Sequence, residues 1–265
     1  MIQYYHVDSF ADQAFKGNPA AVFMLKKILM EEDMQRIAGE FNLPASTFVY
    51  HDINGYHIRW FAPKKEILLC GHGTLAAAHV LFEEGFFPKD KVIKFISASG
   101  TELNASYGSE GISITLPTIP VEHEVVLDNE IAKAFDSEVL FSGVHKNGYL
   151  LELASEDDVR NLNPDFFVLS KHTKVFIATA KAKGKPYDFV SRVFVPFAGI
   201  NEDPVTGSAH ACLACYWSEK LGKNNFTAYQ ASQRGGVMGV SLKDNLVELT
   251  SKAVIVSKGE FLWGG

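Results

Sequence analysis

The chain has 265 residues, 47% of them hydrophobic and 21% charged, which is the make-up of a soluble globular protein able to bury one large core or two. A formal net charge of −6 argues against a nucleic-acid surface, and no apolar run reaches the length of a membrane span, so neither nucleic acid nor membrane is expected as a partner. The opening Met1-Ile2-Gln3-Tyr4-Tyr5-His6 carries no basic n-region or apolar h-region, and the three cysteines fit no disulfide framework, so a cytoplasmic location is expected.

In chain order, Val7 to Phe10 reads as a strand running into a loop, Gly17-Asn18-Pro19 as a turn, and Ala20 to Leu25 as a second strand. Apolar residues at Met30, Met34, Ile37, Ala38 and Phe41 have helical spacing, and Pro44 ends that helix by excluding helical geometry from Leu43. Thr47 to Tyr50 and Tyr56 to Phe61 flank Asn54-Gly55, a hairpin signal. Ile67 to Leu69 is a short apolar strand leading into Cys70-Gly71-His72-Gly73-Thr74, after which a helix of small apolar residues runs toward Gly85. Beyond it lie Leu103 to Tyr107 and Ile112 to Leu116, joined by a turn at Gly108 to Gly111.

The second half supplies the same ingredients. Ile131 to Phe135 is a short helix, Ser155 opens another with an acidic first turn, and Tyr149 to Leu153, Val175 to Ala180 and Phe189 to Val195 are strand-like. Asp203-Pro204-Val205-Thr206-Gly207-Ser208 then opens a helix to Leu221 that is apolar on most faces and should be buried. Met238 to Leu242 and Leu246 to Thr250 form a final hairpin. Gly100 follows Gly71 at nearly the distance at which Gly235 follows Gly207, so the two halves should share one topology. The expected division is 1–118 and 119–265, with the last strand free to return to the first half.

Each Gly turn places the unpaired N–H groups of a helix start at its positive dipole end. Gly73, Gly207 and Ser208 would offer such groups to a small anionic metabolite through its carboxylate, or would serve only as structural turns. Arg234, before Gly235-Gly236, is either a second carboxylate contact or a solvated loop residue. Cys212-x-x-Cys215 lies inside an apolar helix, away from any helix start that would stabilise a thiolate, and reads as packing. No metal-ligand spacing is present.

Four stretches resemble, in order, the PhzF-like proteins, named for a phenazine-biosynthesis isomerase. They are Val7 to Phe10 with Phe15 to Val22, Cys70 to Thr74, Asp203 to His210, and Gln230 to Gly236. The resemblance implies an α/β fold (more strictly α+β) of two diaminopimelate-epimerase-like halves, each a curled sheet around a central helix, with a cleft between them as the active site. It also implies a homodimer, no metal or organic cofactor, and isomerisation by proton movement. By the same resemblance His72 matches the active-site histidine, and Asp203 a second polar group that orients a ligand hydroxyl or relays a proton. The bland readings are a helix-start histidine and a turn residue before Pro204. Cys70 falls near a catalytic thiol of the epimerases, or is a buried inert cysteine.

One departure bears on the chemistry. The family pattern Asn-Leu-Ser-Glu-Thr-x-Phe reads here Asn42-Leu43-Pro44-Ala45-Ser46-Thr47-Phe48, so Ala45 stands where the glutamate base is expected. Loss of a positioned base costs about 10²–10⁴ in rate. Ser46 and Thr47 offer hydroxyls that can hold a water but are poor bases at neutral pH, and Asn18 either borders the cleft or simply makes its turn. Two functions follow: an isomerase or epimerase-type enzyme acting on a small carboxylated metabolite, or a non-catalytic binding scaffold that lacks the base.

Overall fold

In a computed structural model, which describes residues 1–184 and 186–263, the chain forms two compact units. One is Met1–Leu116 with the returning chain from Glu248, and the other is Pro117–Val247. In the first, β1 (Ile2–Ser9) and β2 (Asn18–Leu25) pair antiparallel. α1 (Glu31–Phe41) then lets β3 (Ala45–Asp52) lie parallel to β2. β4 (Gly55–Ala62) folds back on β3, and β5 (Lys65–Ile67) back on β4. α2 (Gly71–Glu83) leads to β6 (Ile93–Ser97), parallel to β4, and β7 (Glu102–Gly108) and β8 (Gly111–Pro117) follow as antiparallel neighbours.

The second unit starts with β9 (Val121–Glu124) and α3 (Asn129–Phe135), then β10 (Val139–His145), antiparallel to both β9 and β11 (Gly148–Leu153). α4 (Glu156–Asn161) and α5 (Phe166–Ser170) connect β11 to β12 (Val175–Lys181), which runs parallel to it. β13 (Phe189–Phe194) pairs antiparallel with β12 and with the two-residue β14 (Glu202–Asp203). α6 (Gly207–Leu221) leads to β15 (Asn225–Gln230), parallel to β13, and then β16 (Gly236–Lys243). β17 (Leu246–Ser251) carries the chain to β18 (Ala253–Phe261), which closes the first unit by pairing antiparallel with β1.

The repeat suggested by the two Gly turns therefore extends through both halves. The sequence β1-β2-α1-β3-β4-β5-α2-β6 has the pairing pattern of β10-β11-α4/α5-β12-β13-β14-α6-β15, down to the parallel joins β2/β3 and β11/β12. α2 is buried from Gly71 to Ala78 and on through Phe82 with the single exception of half-buried His79, as an all-round apolar helix must be. α6 likewise buries Ala209 to Ala214, Tyr216 and Trp217. β2, β3 and the end of β4 bury both sides. Ala21, Phe23, Phe48 and Phe61 pack with Met34, Ile37 and Ala38 of the amphipathic α1, and the opposite side carries the residues that meet α2.

One expectation shifts. The apolar run Ile67 to Leu69 is not the strand: β5 begins at Lys65 and ends at Ile67, and Leu68 is 76% exposed. The pairing is set by Arg59 on β4, which grips Glu66 through Nε–Oε1 and Nη2–Oε2 bonds of 2.7 Å each. The loop between β1 and β2 also holds Phe10 and Phe15 at positive φ, with the Phe15 N–H donating to Asp8 Oδ2 at 2.8 Å. Among the described residues no helix is long and apolar enough to cross a membrane.

Candidate functional site

The first Gly turn is assembled from four neighbouring chain segments. Cys70 is the extended residue before α2, and its carbonyl accepts from both the N–H and the hydroxyl of Thr74, at 3.0 and 2.7 Å. No side chain caps the helix start, whereas α3, α4 and α5 are capped by Asp128, Ser155 and Asp165. Ser9, at the end of β1, donates from Oγ to the His72 carbonyl at 2.8 Å and ties the turn to the sheet. The His72 ring is buried, with Nδ1 3.4 Å from Cys70 Sγ. Burial lowers its pKa to about 4, so the imidazole is neutral at physiological pH.

Gly73 allows the closest approach. A Cβ there would lie 2.6 Å from Thr47 Oγ1, 2.7 Å from Trp60 Cδ1 and 3.1 Å from Cys70 Sγ. The strand register explains which residues reach it. Val22, Thr47 and Trp60 form one cross-strand row, and Ala20 and Ala45 pair in the adjoining stretch. Ala45 and Thr47 thus share the face toward α2, two residues apart. Ser46 belongs to the intervening row with Ala21 and Phe61, both packed against α1, so the pleat turns its side chain away from the helix start. Asn18 pairs with Ser9 and is fully buried.

The second Gly turn is held by a glutamine. Gln230, at the end of β15, accepts from the Thr206 N–H at 2.8 Å and donates to the Asp203 carbonyl at 2.7 Å. Thr206 Oγ1 donates to Asp203 Oδ2 at 2.5 Å, which fixes one carboxylate oxygen of this half-buried residue. Ser232 ties down Pro204 by donating to its carbonyl at 2.6 Å. Gly207 is buried and Ser208 half-buried at the start of α6, which again has no side-chain cap. His210 sits one turn into the helix, fully buried, with Nδ1 2.8 Å from the Thr206 carbonyl and its pKa lowered to about 4 by burial.

The structure thus brings His72, Gly73, Cys70 and Thr47 together in the first unit, and Asp203, Gly207 and Ser208 together in the second. Ser9, Trp60 and Gln230 take part although none of them is among the candidate site residues of the sequence. Trp60 has no local signal at all, because only the β3–β4 register brings it to α2. Gln230 opens one of the four family-like stretches, but its grip on Asp203 spans 27 positions. Cys212 and Cys215 are free thiols within α6, Cys212 with its pKa pushed up to about 12 by burial, in keeping with packing. Among the described residues no cluster of three His, Cys, Asp or Glu side chains is placed to hold a metal ion.

Comparison with known proteins agrees with this architecture. The PhzC-PhzF family, described as phenazine biosynthesis-like protein, matches residues 7–259. The chain is 44% identical to an uncharacterized isomerase of Halalkalibacterium halodurans over 97% of both chains. The crystal structure of a PhzF-family phenazine biosynthesis protein from Enterococcus faecalis superimposes with a TM-score of 0.91 at 38% identity, covering 99% of each chain. A PhzC/PhzF protein from Clostridium difficile gives 0.87 at 41% identity, covering 98% of this chain and 99% of its own. The fold is the mixed α+β, epimerase-like one that the sequence resemblance implied. Matched along nearly its whole length in sequence and in structure, the chain belongs to the PhzC-PhzF, phenazine biosynthesis-like family.

Proposed function

We propose that this protein is an isomerase that moves a proton within a small carboxylated metabolite, with His72 carrying the proton. One observation carries the reading: a neutral imidazole, buried at an uncapped helix start, 3.4 Å from a thiol. The relative from Halalkalibacterium halodurans bears the name isomerase, which supports the same class. In the step itself a C–H bond of the ligand breaks and its proton passes to an imidazole nitrogen. The electron pair shifts along the ligand's unsaturated framework, and the proton returns to a second carbon. No oxidant or co-reactant is required. The N–H groups opening α2 favour the negative charge that develops meanwhile. Asp203, its Oδ2 held by Thr206, is the second polar group, assigned to orienting a ligand hydroxyl or relaying the proton.

Ala45 supports a second reading, a scaffold that binds the same ligand without turnover. Its methyl group is fully buried on the α2-facing side of β3, and no carboxylate takes its place on that strand face. Proton exchange separates the two. The wild type, His72→Ala and Ala45→Glu are incubated in D₂O with a panel of small cyclic and amino carboxylates, and deuterium uptake is followed by NMR. The isomerase reading expects uptake in the wild type that His72→Ala reduces at least about 10²-fold. Uptake confined to Ala45→Glu would replace it with the binding scaffold. Uptake that His72→Ala leaves unchanged would remove His72 from the mechanism.

A further inference from the structure

A cavity of about 520 Å³ opens at the end of the first-unit sheet that lies away from His72. It sits where β1 begins and where the parallel strands β2 and β3 end, with Ile2, Leu25 and Val49 in its lining. Ser9, which holds the His72 carbonyl, is at the other end of the eight-residue β1, about 23 Å away at the rise of an extended strand. The cavity is therefore separate from the start of α2, and its lining belongs wholly to the first unit. Aromatic rings wall it. The Trp263 ring stacks on Phe261 with centroids 6.5 Å apart and packs against the core around α1. The Tyr50 ring stacks on His57 at 4.5 Å. The Tyr56 hydroxyl donates to the Phe86 carbonyl at 3.1 Å and pins the chain after α2 to the β3–β4 hairpin. Phe86 is nonetheless 43% exposed, apolar surface that the chain itself leaves uncovered.

The charge around this space has one sign. Lys26 and Lys27, just after β2, are exposed members of the lining, and so is His51 near the end of β3. Among the described residues neither lysine makes an ion pair, and the lining includes no Asp or Glu, in a chain of formal net charge −6. A concave site of roughly 300–1,000 Å³ with apolar and aromatic walls and a few polar groups is the usual form of a small-molecule site. We propose that this cavity is a second binding site, for an amphipathic monoanion: an aromatic carboxylate with its ring among Trp263, Tyr50 and Phe86 and its charge toward Lys26 and Lys27. Flat rings stack or meet edge to face with such walls. Two ammonium groups on flexible stems suit one carboxylate, whereas a phosphate-rich ligand would find no arginine fork. The site stands apart from the proposed proton transfer and does not depend on it.

The test uses naphthoate and its uncharged counterpart naphthylmethanol, and reads binding rather than turnover. ¹⁵N-labelled protein is titrated with each at constant ionic strength, and the indole N–H resonances are followed. Trp263→Phe identifies the Trp263 signal. The expected result is a saturable shift of that signal with naphthoate, while Trp217 in the second unit and Trp60 beside the start of α2 stay unmoved. Naphthylmethanol should bind about tenfold more weakly, for want of the charge. The double variant Lys26→Gln, Lys27→Gln, altered only at exposed positions, should bring naphthoate down to the affinity of the alcohol and leave the alcohol as it was. A Trp263 signal that stays still, a Trp60 signal that moves in its place, equal affinities for the two compounds, or unchanged naphthoate binding in the double variant overturns the proposal. So does a Trp263 signal that moves only with protein concentration, which would give the cavity to a second copy of the chain. No turnover is read, so this result and the deuterium-uptake experiment can each fail alone.

Discussion

Gly73 shows how strongly a single position constrains the helix start. The atoms that a Cβ would meet are not the loose ends of surface side chains: Thr47 is β-branched, and the Trp60 ring is locked in the core. Gly73→Ala gains about 1 kcal/mol of helix propensity. Against it stands overpacking, typically about 1–3 kcal/mol, with the upper end expected where backbone and rings cannot yield. The expected net loss is about 1–2 kcal/mol, read as a lower urea midpoint with an unchanged denaturant slope. An unshifted midpoint would mean that β3 and β4 do not press on α2 as described. The same residues show what was readable locally. His72, Gly73 and the alanine at position 45 stand out from spacing and motif alone. The choice between Ser46 and Thr47 does not, because adjacent strand residues face opposite ways and only the register says which one meets α2.

Among the elements, the Asp203–Thr206 turn depends on a residue from another strand. Gln230 satisfies the Thr206 N–H and the Asp203 carbonyl at once. Gln230→Leu keeps the bulk and removes both partners, which should cost about 1–3 kcal/mol and loosen the turn that carries Asp203. Amide hydrogen exchange reports this directly: the Thr206 N–H should be protected in the wild type and exchange faster in the variant. Equal protection would show that the glutamine does not hold the turn. The elements most legible in the sequence are those with a strong local period or stop signal. α1 has its apolar stripe and ends at Asn42 in left-handed geometry, and α6 ends at Gly222 in the same way. The two Gly turns, and the matched hairpins after them, expose the internal repeat. β10, α5 and the two-residue β14 leave no such signal, being short and held by distant partners. The apolar run at Leu68 and Leu69 misleads because strand pairing, fixed by the Arg59–Glu66 bridge, outweighs local hydrophobicity in so short a stretch.

At the scale of the whole molecule, three buried histidines tie stability to pH. His72, His145 and His210 are each no more than 7% exposed, and burial holds the pKa of each at about 4, against about 6.5 in an unfolded chain. Lys174 adds to the effect at His145, whose Nε2 has no hydrogen-bond partner. Between pH 6.5 and 4 the unfolded state binds more protons than the folded one, so stability rises with pH across that window. It is fully present above about pH 6.5 and is lost progressively as pH falls toward 4. Each histidine can contribute up to about 3 kcal/mol, since every tenfold loss of proton affinity on folding corresponds to about 1.4 kcal/mol. Together they match the whole of a typical folding free energy, about 5–15 kcal/mol. Urea unfolding at pH 7, 6 and 5 should therefore give a midpoint that is steady down to about pH 6.5 and then falls steeply. His210→Leu should flatten that fall, because it removes one of the three sites that must be protonated against burial, even though it also loses the bond to the Thr206 carbonyl and starts from a lower midpoint at pH 7. A wild-type midpoint that holds constant from pH 7 to 5 would mean that the three imidazoles reach water and take up protons in the folded protein, and with that the neutral, buried His72 on which the proposed proton transfer depends would go too.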